Sequence, residues 1–194
     1  MSRAETAPAP EPEFGGLGEA ELVQACLDGR LGAFDVIVER HRQSVYRLCY
    51  RFAPNHEDAS DLAQEVFLRA FRALHGFRGQ SSLGTWLYRI GVNVCLNKVS
   101  VKTPVIEPID ARSHVDTRTE SPCDQVLRSE RAERVRSAVA QLPAKQRAAL
   151  ILRVYHEMTH QEIAGALGTS VGAAKANVFH ALRNLKRLLN GEVL

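Results

Sequence analysis

The sequence predicts an all-α protein built as two small helical domains joined by a flexible linker. Apolar residues recur at helical spacing from Leu17 to Val99 and again from Val126 to Leu189, whereas alternating β-branched runs are nearly absent. Between these regions lies VKTPVIEPIDARSHVDTRTESPC, which carries Pro104, Pro108 and Pro122 and shows no sustained period. Proline disfavours helix in the residue before it, so this stretch reads as linker.

The elements follow in order. Residues 1–18 open with MSRAETAPAPEPEFGG, rich in Pro, Glu and Ala and lacking an apolar segment, so a disordered tail rather than a signal peptide is expected there. Residues 19–100 form the first domain, with helices expected at Glu19–Asp28, Gly32–Phe52, Glu57–Leu74 and Leu83–Val99. The linker takes 101–122. In the second domain, 123–194, the periodicity places helices at Cys123–Ala140, Ala144–Tyr155, His160–Leu167 and Val171–Leu189. Pro143 marks a helix start, because proline is tolerated only near a first turn.

The totals exclude some classes and leave others open. In 194 residues there is no apolar run of the roughly 18 to 20 residues that cross a bilayer. The net charge of +3 permits nucleic-acid binding without arguing for it, so the distribution of charge must decide. Cys26, Cys49, Cys95 and Cys123 form no CxxC pair and read as structural thiols of a reducing compartment.

Two readings compete for the stretch from His156 to Leu182. HEMTH matches the zinc-protease pattern HExxH, which needs His156 and His160 one turn apart on a continuous helix with Glu157 as base. Thr159 followed by Glu162 and an apolar run is instead the capping box of a helix that begins. The helix-turn-helix reading accounts for more residues. Ile163, Ala164 and Leu167 form the inner stripe of a first helix, Gly168 ends it, and Ser170 caps the second. Val171, Ala174, Val178 and Ala181 then face inward, while Gly172, Ala173, Ala176, Phe179, His180 and Arg183 face outward with Lys175 and Asn177 at the rims. No catalytic residue, metal or cofactor is expected.

Two stretches of the first domain are unusual for a plain bundle. DASDLAQEVFLRAFRAL buries Leu62, Val66, Ala70 and Leu74 and gathers Asp58, Asp61 and Glu65 on its outer side. Like charges at this spacing oppose one another, so the stripe, completed by Gln64 and Leu68, suits a basic partner protein; a solvated face offset by Arg69 and Arg72 is the alternative. The second stretch is FRGQSSLGTWLYRIGVNVCLNK. A Gly- and Ser-rich loop with Phe77, Arg78, Ser81 and Ser82 leads into a helix with Leu83, Leu87, Ile90 and Val94 inward and Thr85, Tyr88, Arg89 and Asn93 outward, Trp86 lying at the margin. Aromatics interleaved with Arg and Asn suit unstacked single-stranded bases, although Trp86 serves equally well as a core residue.

DLAQEVFLRAFRAL, FRGQSSLGTWLYRIGVN, LPAKQRAALILR and QEIAGALGTSVGAAK, in that order, resemble the extracytoplasmic-function sigma factors of the sigma-70 family. The resemblance covers roughly Ala33 to Val99 and Gln141 to Leu188. It implies sigma region 2 in the first domain and sigma region 4 in the second, with core RNA polymerase, promoter DNA and an anti-sigma factor as partners, in the bacterial cytoplasm or held at the membrane through the anti-sigma factor without insertion. It further implies that Asp61, Gln64, Glu65 and Leu68 meet the clamp coiled coil of the β′ subunit, with the β subunit as a further contact. The loop from Phe77 to Gly84, with Arg78, Ser81 and Ser82, would receive a base of the minus-10 element, contacted also by Trp86, Tyr88, Arg89 and Asn93. Arg153, Ser170, Lys175, Ala176, Asn177, Phe179, His180 and Arg183 would read the minus-35 element. Where the family's recognition helix usually reads VGTVKSRLFRAR, this chain has VGAAKANVFHAL, so arginines give way to Asn177, His180 and Leu182 and a serine to Ala176. Fewer bidentate guanine contacts remain, which shifts the expected readout toward DNA shape and Phe179.

Overall fold

The computed structural model describes residues 14–53, 55–101 and 122–191, with side chains for all but 99–101 and 122–129. Among these residues every regular element is helical. The helices are α1 (Glu19–Leu27), α2 (Ala33–Tyr50), α3 (His56–Ala73), α4 (Leu83–Val101), α5 (Pro122–Ala140), α6 (Ala144–Tyr155), α7 (His160–Leu167) and α8 (Val171–Leu189), with a single 3₁₀ turn at Leu74–Gly76. Most of the expected tail and the linker between 102 and 121 lie outside the described residues.

Local signals start the helices where the sequence places them. Asn55 caps α3 by accepting from the Asp58 N–H at 2.8 Å. Ser82 caps α4, its hydroxyl accepting from the Thr85 N–H at 3.1 Å. In the first body α2 lies against α1, α3 and α4, and the core forms around Ile37, Val45, Leu48, Val66 and Leu87. Gly91 sets the crossing of α2 and α4, since a Cβ there would stand 2.7 Å from Leu48 Cδ2.

Residues 14–18 differ from the expected tail. Phe14 is buried under the Arg30 guanidinium, and Arg40 donates to the carbonyls of Gly15 and Leu17, both at 2.8 Å. One aromatic ring and two charge-assisted hydrogen bonds hold this short stretch in place.

In the second body α6, α7 and α8 pack on one another and α5 packs on α8. Ala148, Ala149, Ala174 and Ala181 are fully buried at these contacts, where small side chains allow close helix approach. Asn184 of α8 donates to Gln146 of α6 at 2.9 Å, tying the recognition helix to its support.

Helix α4 is buried on two sides, which the single apolar stripe read from sequence does not anticipate. Leu83, Leu87 and Val94 face α2 and α3 as expected, but Ile90 is only partly buried, while Val92 and Cys95 are wholly enclosed. Cys95 is enclosed by its thiol contact with Cys49 of α2, and the further buried side arises because α6 and α7 pack against α4. The two helical bodies are therefore in contact in this structure.

Candidate nucleic-acid interface

The segment HEMTH does not form a continuous helix. α6 ends at Tyr155, His156 has left helical geometry, Glu157 adopts φ +54°, and α7 begins only at His160. Two imidazoles on one face of one helix, the requirement of the zinc motif, are thus impossible. Among the described residues no cluster of three His, Cys, Asp or Glu side chains is arranged to hold a metal ion. Thr159 and Glu162 form the capping box instead: the Thr159 N–H donates to Glu162 Oε2 at 2.8 Å, and the Glu162 N–H to Thr159 Oγ1 at 3.2 Å.

The helix-turn-helix then follows the expected stereochemistry. Gly168 ends α7 at φ +60°, a left-handed conformation that residues with a Cβ rarely adopt, and the Ser170 hydroxyl accepts from the Ala173 N–H at 3.1 Å. Ala174, Val178 and Ala181 seat α8 on the bundle. Val171, expected inward, is instead exposed, since the first turn of α8 projects past the supporting helices, and Leu167 is only partly buried.

Outward from α8 stand Lys175, Ala176, Phe179, His180 and Arg183, all exposed, with Asn177 half-buried. Phe179 is 63% exposed, its ring edge-on to His180 at 5.6 Å. A bare aromatic flanked by cations on a helix with a small-residue N-terminus has the shape and charge of a major-groove reader. Leu182, which the sequence reading left out of this face, is also half-exposed. Arg153 is exposed on α6 and spends Nη1 on the Met158 carbonyl at 2.9 Å, so it braces the turn while other guanidinium donors remain.

The expected single-strand surface is brought together only in part. Phe77 and Trp86 pack at 5.2 Å between ring centroids and both are partly buried against the core, so Trp86 belongs as much to the packing as to the surface. Ser82 is engaged in capping α4, Ser81 donates to the Ser82 carbonyl at 3.3 Å, and Arg78 is exposed. Arg89 and Asn93 are exposed, with Asn93 Nδ2 donating to the Arg89 carbonyl at 2.9 Å. Tyr88, expected on the outer side, is partly covered: the His156 ring lies 4.0 Å from it.

On α3 the acidic stripe is less isolated than the sequence implied. Asp58 pairs with Lys98 of α4 at 2.7 Å and Glu65 with Arg69 at 2.6 Å, while Asp61 and Gln64 are exposed. A groove of about 290 Å³ between α3 and α4 is lined by Asp61, Glu65, Arg69 and Lys98. Beside it Leu68 is 52% exposed and Phe71 58%. Phe71 was missed in the sequence, where its spacing from Leu68 was the available signal; its ring packs edge-on to Phe34 at 5.0 Å, and with Leu68 it makes an exposed apolar strip next to Glu65, which has the composition of a protein-binding face.

Comparison with known proteins agrees with this architecture. Residues 37–103 match the family described as Sigma-70 region 2, and residues 132–185 match Sigma-70, region 4. The RNA polymerase sigma-H factor of Pseudomonas aeruginosa is 32% identical over 180 residues, which cover 88% of this chain and 93% of that one. The ECF RNA polymerase sigma-E factor of Escherichia coli K12 is 31% identical over 174 residues, 85% of this chain and 91% of that one. In fold, the chain resembles CnrH in its complex with the cytosolic domain of CnrY, at TM-score 0.66 and 23% identity, covering 90% of this chain and 99% of that one. It also resembles the sigma factor RpoE of Bartonella quintana in complex with the anti-sigma factor NepR, at TM-score 0.59 and 20% identity, covering 82% and 98%.

The fold and these matches define a two-part transcription initiation factor without catalysis of its own. The chain belongs to the extracytoplasmic-function sigma factors of the sigma-70 family and directs RNA polymerase to promoters.

Proposed function

We propose that this chain joins core RNA polymerase through α3 and reads its promoter with two separate surfaces, opening the duplex at one of them. Asp61, Gln64, Glu65 and Leu68, with Phe71 added from the structure, form the contact for the clamp coiled coil of the β′ subunit, and the β subunit supplies a further contact. Residues 19–100 act as region 2. There Phe77, Arg78, Ser81, Ser82, Trp86, Tyr88, Arg89 and Asn93 hold the minus-10 element, with one base extruded into the loop. Extruding a base costs a few kcal/mol of lost stacking, which a pocket and aromatic stacking partners offset. Residues 123–194 act as region 4, with Arg153, Ser170, Lys175, Ala176, Asn177, Phe179, His180 and Arg183 on the minus-35 element. Residues 1–18 and 101–122 serve as tail and linker, and no cofactor or metal takes part.

The observation that carries this reading is the exposed outer face of α8, where Lys175, Phe179, His180 and Arg183 project from a helix whose other side is seated through Ala174, Val178 and Ala181. An anti-sigma factor is the natural regulator. It would cover the α3 strip, and the site of action is the bacterial cytoplasm. Among the described residues no helix is long and apolar enough to cross a membrane.

The test is transcription in vitro with core polymerase on a library of genomic fragments. Specific start sites that vanish when the factor is omitted are the expected result; the absence of any factor-dependent transcript defeats the proposal.

A further inference from the structure

We propose that Glu19 of α1 and His41 of α2 are positioning residues for the base-receiving loop: they fix the start of α4, and with it the loop from Phe77 to Ser82, before DNA arrives. This rests on the reading that the loop holds an extruded base of the minus-10 element.

The contacts run from α1 to α4 across 64 residues of chain. The N–H of Leu83, a buried residue at the first turn of α4, donates to Glu19 Oε2 at 3.1 Å. The other carboxylate oxygen, Oε1, lies 3.6 Å from His41 Nε2. The His41 ring in turn lies against Gly84, where an added Cβ would stand 3.8 Å from its Cε1. Burial first, and then the Arg40 charge, hold the His41 pKa below its usual value against the opposing pull of Glu19, so neutral imidazole predominates at neutral pH. The Glu19 charge is therefore matched mainly by the start of α4, where a helix favours an anion.

A helix start needs such a partner, because its first N–H groups have no acceptor within the helix. Ser82 serves the Thr85 N–H through its hydroxyl, and Glu19 serves that of Leu83. The start of α1 itself is already served by Glu21, which accepts from the Gly18 N–H at 2.7 Å. That leaves Glu19 to reach α4.

The other end of the loop is held by α1 as well. This helix packs against the 3₁₀ turn at Leu74–Gly76, which leads directly into Phe77. Between the two anchors Arg78, Gly79 and Gln80 are exposed, with Gly79 at φ +66°. The residues before α1 set it in place: Arg40 donates to the Gly15 and Leu17 carbonyls, and its neighbour His41 meets Glu19. A loop fixed at both ends loses little freedom on receiving a base, so more of the stacking gained is left to offset extrusion.

The test uses holoenzyme, assembled from core polymerase and the full chain, on a promoter recovered from the genomic-fragment transcription assay. The minus-10 element is presented unpaired, and each of its bases is removed in turn to leave an abasic site. In the wild type one position should cost about tenfold in affinity, the size of one lost base stack. In Glu19→Ala that penalty should fall below about threefold, while penalties elsewhere in the element and affinity for core polymerase stay as they were. Glu19→Gln, which keeps an oxygen to accept from Leu83, should restore the full penalty. A defect of folding alone would weaken every template alike and leave the pattern of penalties unmoved. If Glu19→Ala loses helicity, His41→Gln takes its place with the same expectation, since it withdraws the ring from Gly84. A wild-type penalty that survives at full size in the variants overturns the proposal and spares the base-receiving reading, as does a Glu19→Gln that behaves like Glu19→Ala. No penalty at any position in the wild type sinks the base-receiving reading, and the proposal with it.

Discussion

Arg147 of α6 donates through Nη2 to the main-chain carbonyl of Arg51, 96 residues earlier in the chain. The residue is 9% exposed, and burial pulls the guanidinium's pKa down to about 10, so it stays charged at neutral pH. A hydrogen bond from a charged donor contributes about 1.5 to 3 kcal/mol, but desolvating the cation opposes most of that. The link therefore specifies how the two bodies meet more than it stabilises either one.

Arg147→Met tests that balance. Replacing a buried cation with an apolar side chain of similar length should leave the second body's stability within about 1 kcal/mol. Calorimetry should show the unfolding of the two bodies less coupled, with the endotherm splitting or broadening. A single sharp transition at the wild-type temperature would contradict this.

His156 supplies a pH dependence. Burial first, and then the Arg51 charge, push its pKa down to about 4 from the usual value of 6.5. The groups facing it are Arg51 from α2 and Tyr88 from α4. Since the contact between the two bodies favours neutral imidazole, it is at full strength above about pH 6.5 and weakens as pH falls toward 4. Scattering should show expansion between pH 7 and pH 5, and His156→Gln should flatten that response. An equal response in the variant would place the titrating group elsewhere.

The α3 surface can be tested without unfolding the protein. Asp61→Lys with Glu65→Lys should abolish core binding and leave helicity intact. Leu68→Ser with Phe71→Ser should weaken binding at least tenfold at a small cost in stability, both side chains being half-exposed or more. Unchanged affinity in pull-down titrations with core enzyme would remove α3 from the interface.

Promoter contacts separate by probe. Lys175→Ala should lower the salt dependence of minus-35 binding by about one unit of slope; an unaltered slope removes Lys175 from the contact list. Trp86→Ala should impair permanganate-detected melting at minus-10 more than duplex binding. It will also cost stability, though less than the roughly 3 to 5 kcal/mol of a fully buried aromatic, because Trp86 is only partly buried. Normal melting would leave Trp86 a packing residue alone.

Thr159→Ala tests the cap that replaces the zinc motif. Losing the reciprocal bonds with Glu162 should destabilise the second body by about 1 kcal/mol in a denaturant titration. An unchanged midpoint would mean that the capping box contributes nothing measurable.

The elements legible in the sequence were those fixed by neighbouring residues. Thr159 and Glu162, Gly168 and Ser170 act within one helical turn, so the start and stop of α7 and the start of α8 could be read directly. Val171 was misread because helical period locates a face but not the point where the supporting helices end. Phe71 was overlooked because an apolar residue on an apolar-rich helix reads as core until its neighbours are placed. Tyr88 lies on a side of α4 that nothing near it in sequence marks as covered; the residue over it is His156.

The sequence by itself determined the helices, their caps, the helix-turn-helix and the family, because periodicity, capping and motif order are properties of short stretches of chain. Only the tertiary structure decided that α4 is enclosed on two sides and that His156 and Arg147 belong to a joint between two bodies. Contacts across so many residues depend on shape and burial, for which local sequence carries no signal.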